Sequence, residues 1–142
     1  MSDERTVEMA TRLHAAAVRL LRLLRRQDEA TGLTGPRLSA LSVLVFGGPM
    51  SLAELAAAEQ VRAPTMSRLV EALVREGLAT RDPDPANRRM VSIAATAQGV
   101  RLLEAGRRRR VQALTERLAR LADSEQRALA RAVELLERVV RG

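Results

Sequence analysis

The sequence predicts a mainly α fold with a small β-hairpin wing, a winged helix-turn-helix flanked by N- and C-terminal helices. Three observations carry that expectation. Apolar residues recur at three- and four-residue steps through both ends of the chain, the stripe of amphipathic helices. In the middle, two short helical patterns stand back to back across Gln60-Val61-Arg62, the first opened by Ser51 and Glu54, the second by Pro64. After Gly77, two short runs flank a polar, proline-rich excursion, as strands flank a hairpin tip.

The first helix carries Met9, Leu13, Ala16, Ala17, Leu20, Leu21 and Leu24 on one side, and Gly32 stops it. A short second helix is expected from Pro36 to about Phe46; proline is tolerated in a first turn because its missing N–H has no intrahelical partner there, and Gly47-Gly48-Pro49 breaks the helix. Ser51 and Glu54 have capping-box spacing, in which hydroxyl and carboxylate satisfy orphaned amides, and they open a third helix lasting to about Glu59. Gln60-Val61-Arg62 reads as a tight turn. The fourth helix, with Pro64 in its first turn, bears Met66, Leu69, Val70, Leu73 and Val74 on one face and ends at Gly77.

Leu78 to Arg81 and Met90 to Ala94 are the expected strands, joined by Asp82-Pro83-Asp84-Pro85-Ala86-Asn87-Arg88-Arg89. Thr96 caps a fifth helix running through Val100, Leu103, Val111, Leu114, Leu118 and Leu121, with Gly106 a candidate bend. Asp123 and Gln126 are the expected caps of a sixth, which carries Leu129, Val133, Leu136 and Val140. The chain thus divides into an N-terminal helix over 1–35, a winged helix-turn-helix over 36–95 and C-terminal helices over 96–142.

The 142 residues suffice for one domain with helical extensions and a real core. There is no cysteine, which excludes disulfides, a thiolate nucleophile, a zinc knuckle and a thiol redox switch. The opening MSDERTVEMATR lacks the apolar core of an export signal, and no apolar run approaches bilayer length, so a cytoplasmic protein with no membrane partner is expected. With one histidine, no tyrosine, no glycine-rich nucleotide loop and no metal-ligand spacing, no catalytic constellation is expected, and no cofactor or metal. His14, lying between Leu13 and Ala15 on an amphipathic helix, reads as a packing or interface residue. Phe46 is the only aromatic residue, so base stacking is out of reach and duplex DNA is favoured over single strands.

The formal charge is +7, from 24 arginines and no lysine against 17 acids, which suits an acidic partner such as nucleic acid. A GC-rich coding sequence would give a similar alanine- and arginine-rich composition, so distribution is more informative than the total. Arginines outnumber acids six to five over 1–35, seven to six over 36–95 and eleven to six over 96–142. Most of the excess is C-terminal, and in the middle region placement must matter more than net charge.

The apolar face of the fourth helix turns Pro64, Arg68, Glu71 and Arg75 outward, with Thr65, Ser67 and Ala72 beside them. Its leading end is small, polar and basic. Such an end suits a DNA major groove, where short side chains allow close approach, hydroxyls bond to phosphates or base edges, and arginine can span guanine bidentately. Thr65, Ser67 and Arg68 are the leading candidates, and Pro64 and Arg75 complete the set; a solvated helix face is the competing reading of any one of them. Glu71 is placed toward Arg75 at i+4. At the hairpin tip, Arg88 and Arg89 sit on a loop stiffened by two prolines and suit the minor groove, the plainer reading being surface arginines paired with Asp82 and Asp84. Arg107 to Arg110 reads as a solvated stretch of helix, with a flanking phosphate contact as the sharper alternative.

Taken in order, Ser51-Leu-Ala-Glu-Leu-Ala, Pro64-Thr-Met-Ser-Arg-Leu-Val, Gly77-Leu and Arg81-Asp-Pro-Asp-Pro-Ala-Asn-Arg-Arg resemble the MarR family of transcriptional regulators. The motifs span about half the chain and the helix order nearly all of it. The resemblance implies a repressor-like homodimer on double-stranded DNA, often released by a small-molecule effector, with the terminal helices (1–35 and 96–142) building the dimer around paired winged helices. By position, Pro64 to Arg68 match the leading end of the family's recognition helix, and Arg89 matches its minor-groove wing arginine. One departure is Asn87, where the family commonly has aspartate: its amide oxygen accepts hydrogen bonds but lacks the charge that would orient Arg89.

The apolar stripes of the terminal helices exceed what one small winged helix can bury, and the nearest available partner is a second copy of the chain. A twofold dimer would place its recognition helices about one helical turn apart on a roughly palindromic operator. No residue identifies the effector. The rival reading is a protein-interaction module that uses the winged helix as a scaffold without specific DNA binding. The outward face of the fourth helix discriminates, because apolar or acidic residues there would favour protein docking.

Overall fold

The computed structural model describes residues 3–142. In chain order the elements are α1 (Glu4–Asp28), a 3-10 turn (Glu29–Thr31), α2 (Gly35–Gly47), β1 (Met50–Ser51), α3 (Leu52–Ala58), α4 (Ala63–Arg75), β2 (Ala79–Pro83), β3 (Val91–Ala95), α5 (Ala97–Leu118) and α6 (Asp123–Arg141). Two compact units emerge, one ending at Arg107 and the other covering Arg108–Gly142. None of the described helices is long and apolar enough to cross a membrane.

In the first unit, Ala40, Leu41 and Leu44 of α2 meet Leu55 and Ala56 of α3, Met66, Val70 and Leu73 of α4, and Leu78, Ala79 and Ile93 of the sheet region. Leu33 and, from the first turns of α5, Leu102 and Leu103 pack against this cluster. Burying each large aliphatic side chain here contributes about 1.5–3 kcal/mol. No residue of α1 belongs to the core, and Met9 and Leu21 on its apolar stripe remain 65% and 53% exposed. The helix-turn-helix and its sheet therefore hold their own core.

The sheet order is β1-β3-β2, antiparallel throughout, with Ile93 opposite Met50 on one side and Arg81 on the other. Beyond the expected hairpin there is thus a third strand, β1, whose two residues are too few to show alternation. β2 runs on to Pro83, which an edge strand tolerates because its missing N–H can face solvent.

Local chemistry explains the helix ends. α4 closes in a Schellman motif: the Gly77 N–H donates to the Val74 carbonyl at 3.0 Å and the Leu78 N–H to the Leu73 carbonyl at 2.9 Å. Gly77 has φ +74°, which costs a glycine nothing. The Ser51 hydroxyl accepts from the Glu54 N–H at 3.1 Å, as capping requires, but the Glu54 carboxylate accepts from that hydroxyl at 3.1 Å instead of from the Ser51 amide. Ser51 is also the end of β1, so its backbone is aligned along β3.

Three expectations need correction. Ala72 is buried at 6% exposure while Val74 is 37% exposed, because Val74 borders a hollow toward β2 and the opposite flank of α4 is covered. Asp123 is the first residue of α6 and not its cap: Ala122 is the N-cap, the Glu125 carboxylate accepts from its N–H at 2.9 Å, and the Gln126 amide turns back to the Leu118 and Leu121 carbonyls at 3.1 and 3.2 Å. α5 ends at Leu118, short of the expected Leu121; it stays helical through Gly106, which is buried.

Candidate nucleic-acid interface

The interface is built on the turn between α3 and α4. The Gln60 N–H donates to the Ala57 carbonyl at 3.1 Å and the Val61 N–H to the Ala56 carbonyl at 3.0 Å, a second Schellman motif. Its left-handed position is held by Gln60 at φ 56°, the one non-glycine residue with positive φ among the described residues. Val61 packs on the core, and the Ser39 hydroxyl donates to the Glu59 carboxylate at 2.9 Å, which pins α2 to the end of α3. The direction in which α4 leaves the turn is therefore set by backbone hydrogen bonds and core packing.

α4 starts after Arg62 with no side chain capping its first amides, leaving them to an outside acceptor. Met66, Val70 and Leu73 are fully buried and anchor the helix. Pro64, Thr65 and Arg68 are exposed at its leading end, and Ser67 is half-buried beside them. Arg75 is exposed too but lies seven residues beyond Arg68, about 10 Å along the axis. The structure groups it with Glu71, Val74 and Arg81 around a shallow hollow, away from the leading end. Among the described residues Glu71 and Arg75 form no ion pair; the carboxylate at this end that does is Glu76, with Arg37 of α2 at 3.5 Å. Sequence reading missed Arg37 because the pair spans 39 residues.

The wing tip closes on itself. The Asp84 N–H donates to the Met90 carbonyl at 2.8 Å and the Met90 N–H to the Asn87 carbonyl at 2.9 Å, while the Asp84 carboxylate accepts from the Ala86 N–H at 2.8 Å. The Asn87 side-chain oxygen accepts from the Arg89 backbone N–H at 3.2 Å, so this residue shapes the turn that carries Arg89 and does not grip its guanidinium. Arg88 and Arg89 are exposed, and neither pairs with Asp82 or Asp84 among the described residues.

Thr96 ties the wing back to the helices. Its hydroxyl donates to the Gly77 carbonyl at 2.7 Å and accepts from the Gly99 N–H at 3.1 Å, and its backbone N–H donates to the Leu78 carbonyl at 3.0 Å. One hydroxyl thus links the end of α4 to the start of α5. Gly99 is needed for that approach, because a Cβ there would overlap the Leu78 carbonyl oxygen and crowd Leu41. Among the described residues no three His, Cys, Asp or Glu side chains gather as a metal site would require. His14 is exposed on α1.

A helix-turn-helix whose second helix has a free polar leading end, followed directly by an exposed β-hairpin, defines a winged helix-turn-helix protein. Residues 31–90 match the model of the MarR family. Over 128 residues, 90% of either chain, the sequence is 37% identical to an HTH-type transcriptional regulator of Mycobacterium tuberculosis. A MarR family protein of Bacillus stearothermophilus superposes with a TM-score of 0.79 at 26% identity over 100% of both chains. A MepR variant of S. aureus, solved with an oligodeoxyribonucleotide bound to it, gives a TM-score of 0.75 at 20% identity over 92% of this chain and 97% of that one. The chain belongs to the MarR family of winged helix-turn-helix transcriptional regulators.

Proposed function

We propose that the protein is a sequence-specific, duplex-DNA-binding regulator that acts as a homodimer, represses transcription from a roughly palindromic operator and is released by a small ligand. The observation that carries the reading is the leading end of α4, where exposed Pro64, Thr65 and Arg68, with half-buried Ser67, surround amides that no side chain caps. In this reading Thr65, Ser67 and Arg68 enter the major groove, and Arg88 and Arg89, held out by the Asn87 turn, enter the adjacent minor groove. The DNA-bound MepR variant shares this fold and supports the same use of it. A docking module would present an apolar or acidic face in this place.

The homodimer rests on α1 and α6, whose apolar stripes stay open in the single chain: Met9, Leu13, Leu20 and Leu21 on one, Leu129, Val133 and Val140 on the other. Repression and release by a small ligand rest on family membership alone. The deciding experiment titrates purified protein against fragments of the DNA around its own gene, at two salt concentrations and with nonspecific competitor. Saturable, competitor-resistant binding at two subunits per site is the expected result, whereas binding to every such fragment that vanishes with modest salt or competitor would move the protein-docking reading ahead.

A further inference from the structure

Between α4 and β2 the surface dips into a shallow hollow lined by Glu71, Val74, Arg75 and Arg81. Arg75 and Arg81 arrive from different elements, and among the described residues neither forms an ion pair. Two guanidinium groups against one carboxylate leave the hollow net positive, and Val74, 37% exposed, offers an apolar surface beside them. β2 leads from the end of α4 to the wing tip, so along the chain the residues of the hollow follow the leading end of α4 and precede the wing tip, the two parts assigned to neighbouring grooves. When a helix fills a major groove and a wing the adjacent minor groove, the sugar-phosphate strand dividing the grooves passes along the protein surface between them.

We propose that Arg81, together with Arg75, grips a backbone phosphate of that dividing strand, with Val74 against the deoxyribose. The proposal rests on the DNA-binding reading above. Guanidinium forks suit phosphate because each can donate two parallel hydrogen bonds. Such a contact adds affinity and fixes register without reading sequence, which distinguishes it from the assignment of Arg68.

The test is a fluorescence-anisotropy titration of the full chain against an own-gene fragment that it binds and a random duplex of equal length, across a series of salt concentrations. Arg81→Ala should weaken both duplexes by the same factor and make the dependence of log K on log salt shallower by about 0.9 per phosphate contact removed. Arg81→Lys, still a point charge, should restore most of that slope. Arg75→Ala combined with Arg81→Ala should lose less than the two single losses together, since both arginines hold one phosphate. Melting temperatures equal to that of the wild type show that the variants fold. A wild-type slope in Arg81→Ala, or a loss confined to one sequence, overturns the phosphate assignment while leaving the regulator reading intact. Failure of the wild type to bind any duplex overturns both.

Discussion

Arg68 and Arg89 are given different physical tasks, and each can be read separately. A bidentate arginine–guanine pair discriminates against the wrong base by about 1–3 kcal/mol. Arg68→Ala should therefore flatten the preference at one or two operator positions, measured by titrating single-base operator variants, and leave nonspecific affinity nearly unchanged. Arg89→Ala should weaken binding mainly where the minor groove meets the wing, with little change at the positions Arg68 reads. If both variants bind duplex DNA as the wild type does, the site is misassigned. Gln60 poses a stability question of the same size. Its φ of 56° brings Cβ close to the following carbonyl oxygen, a strain of roughly 1–2 kcal/mol that glycine does not carry. Gln60→Gly should raise the urea midpoint at constant m-value, by somewhat less than that strain because glycine also loses more chain entropy on folding. A lower midpoint would mean that the glutamine side chain makes a contact outweighing the strain.

Among the elements, the start of α5 is the most tightly specified. Thr96 caps it while bonding to the last turn of α4, and Gly99 lets the helix pass against the Leu78 carbonyl. Backbone cannot yield there as the end of a flexible side chain would. Gly99→Ala should therefore cost about 1–3 kcal/mol, the usual range for overpacking, despite alanine's better helix propensity. Thermal unfolding followed by circular dichroism measures it, and an unchanged or higher melting temperature would show that α5 can shift at little cost. The wing behaves differently. Its tip is organised by the short local bonds of Asp84 and Asn87, so Arg88 and Arg89 are held by turn chemistry and not by side-chain packing.

For the whole molecule, the apolar stripes of α1 and α6 call for a covering surface. Leu20 is 44% exposed and Val133 45% exposed, on helices of 25 and 19 residues that contribute nothing buried to the single chain. Exposed apolar surface of this extent is stabilised by association at roughly 25 cal/mol per Å² removed from water. Sedimentation equilibrium should give twice the mass of the chain, and Leu20→Glu with Val133→Glu should give a folded monomer that loses most of its operator affinity, since one subunit reads one half-site. A wild-type chain that sediments as a monomer at binding concentrations would overturn the homodimer.

Element type and order were written in the sequence, because stripe spacing, caps and turn residues act over three or four positions. The pattern from Ser51 through Pro64 and Gly77 to Arg89 also marked out the helix and wing now proposed to meet DNA, since these residues lie close together along the chain. Only the tertiary structure decided the rest. β1 exists through its pairing with β3, Ala72 is covered while Val74 opens into a hollow, Arg37 pairs with Glu76 and not Glu71 with Arg75, and Gly99 is required by the Leu78 carbonyl. Each of these depends on which distant surfaces come into contact, and local periodicity carries no information about that.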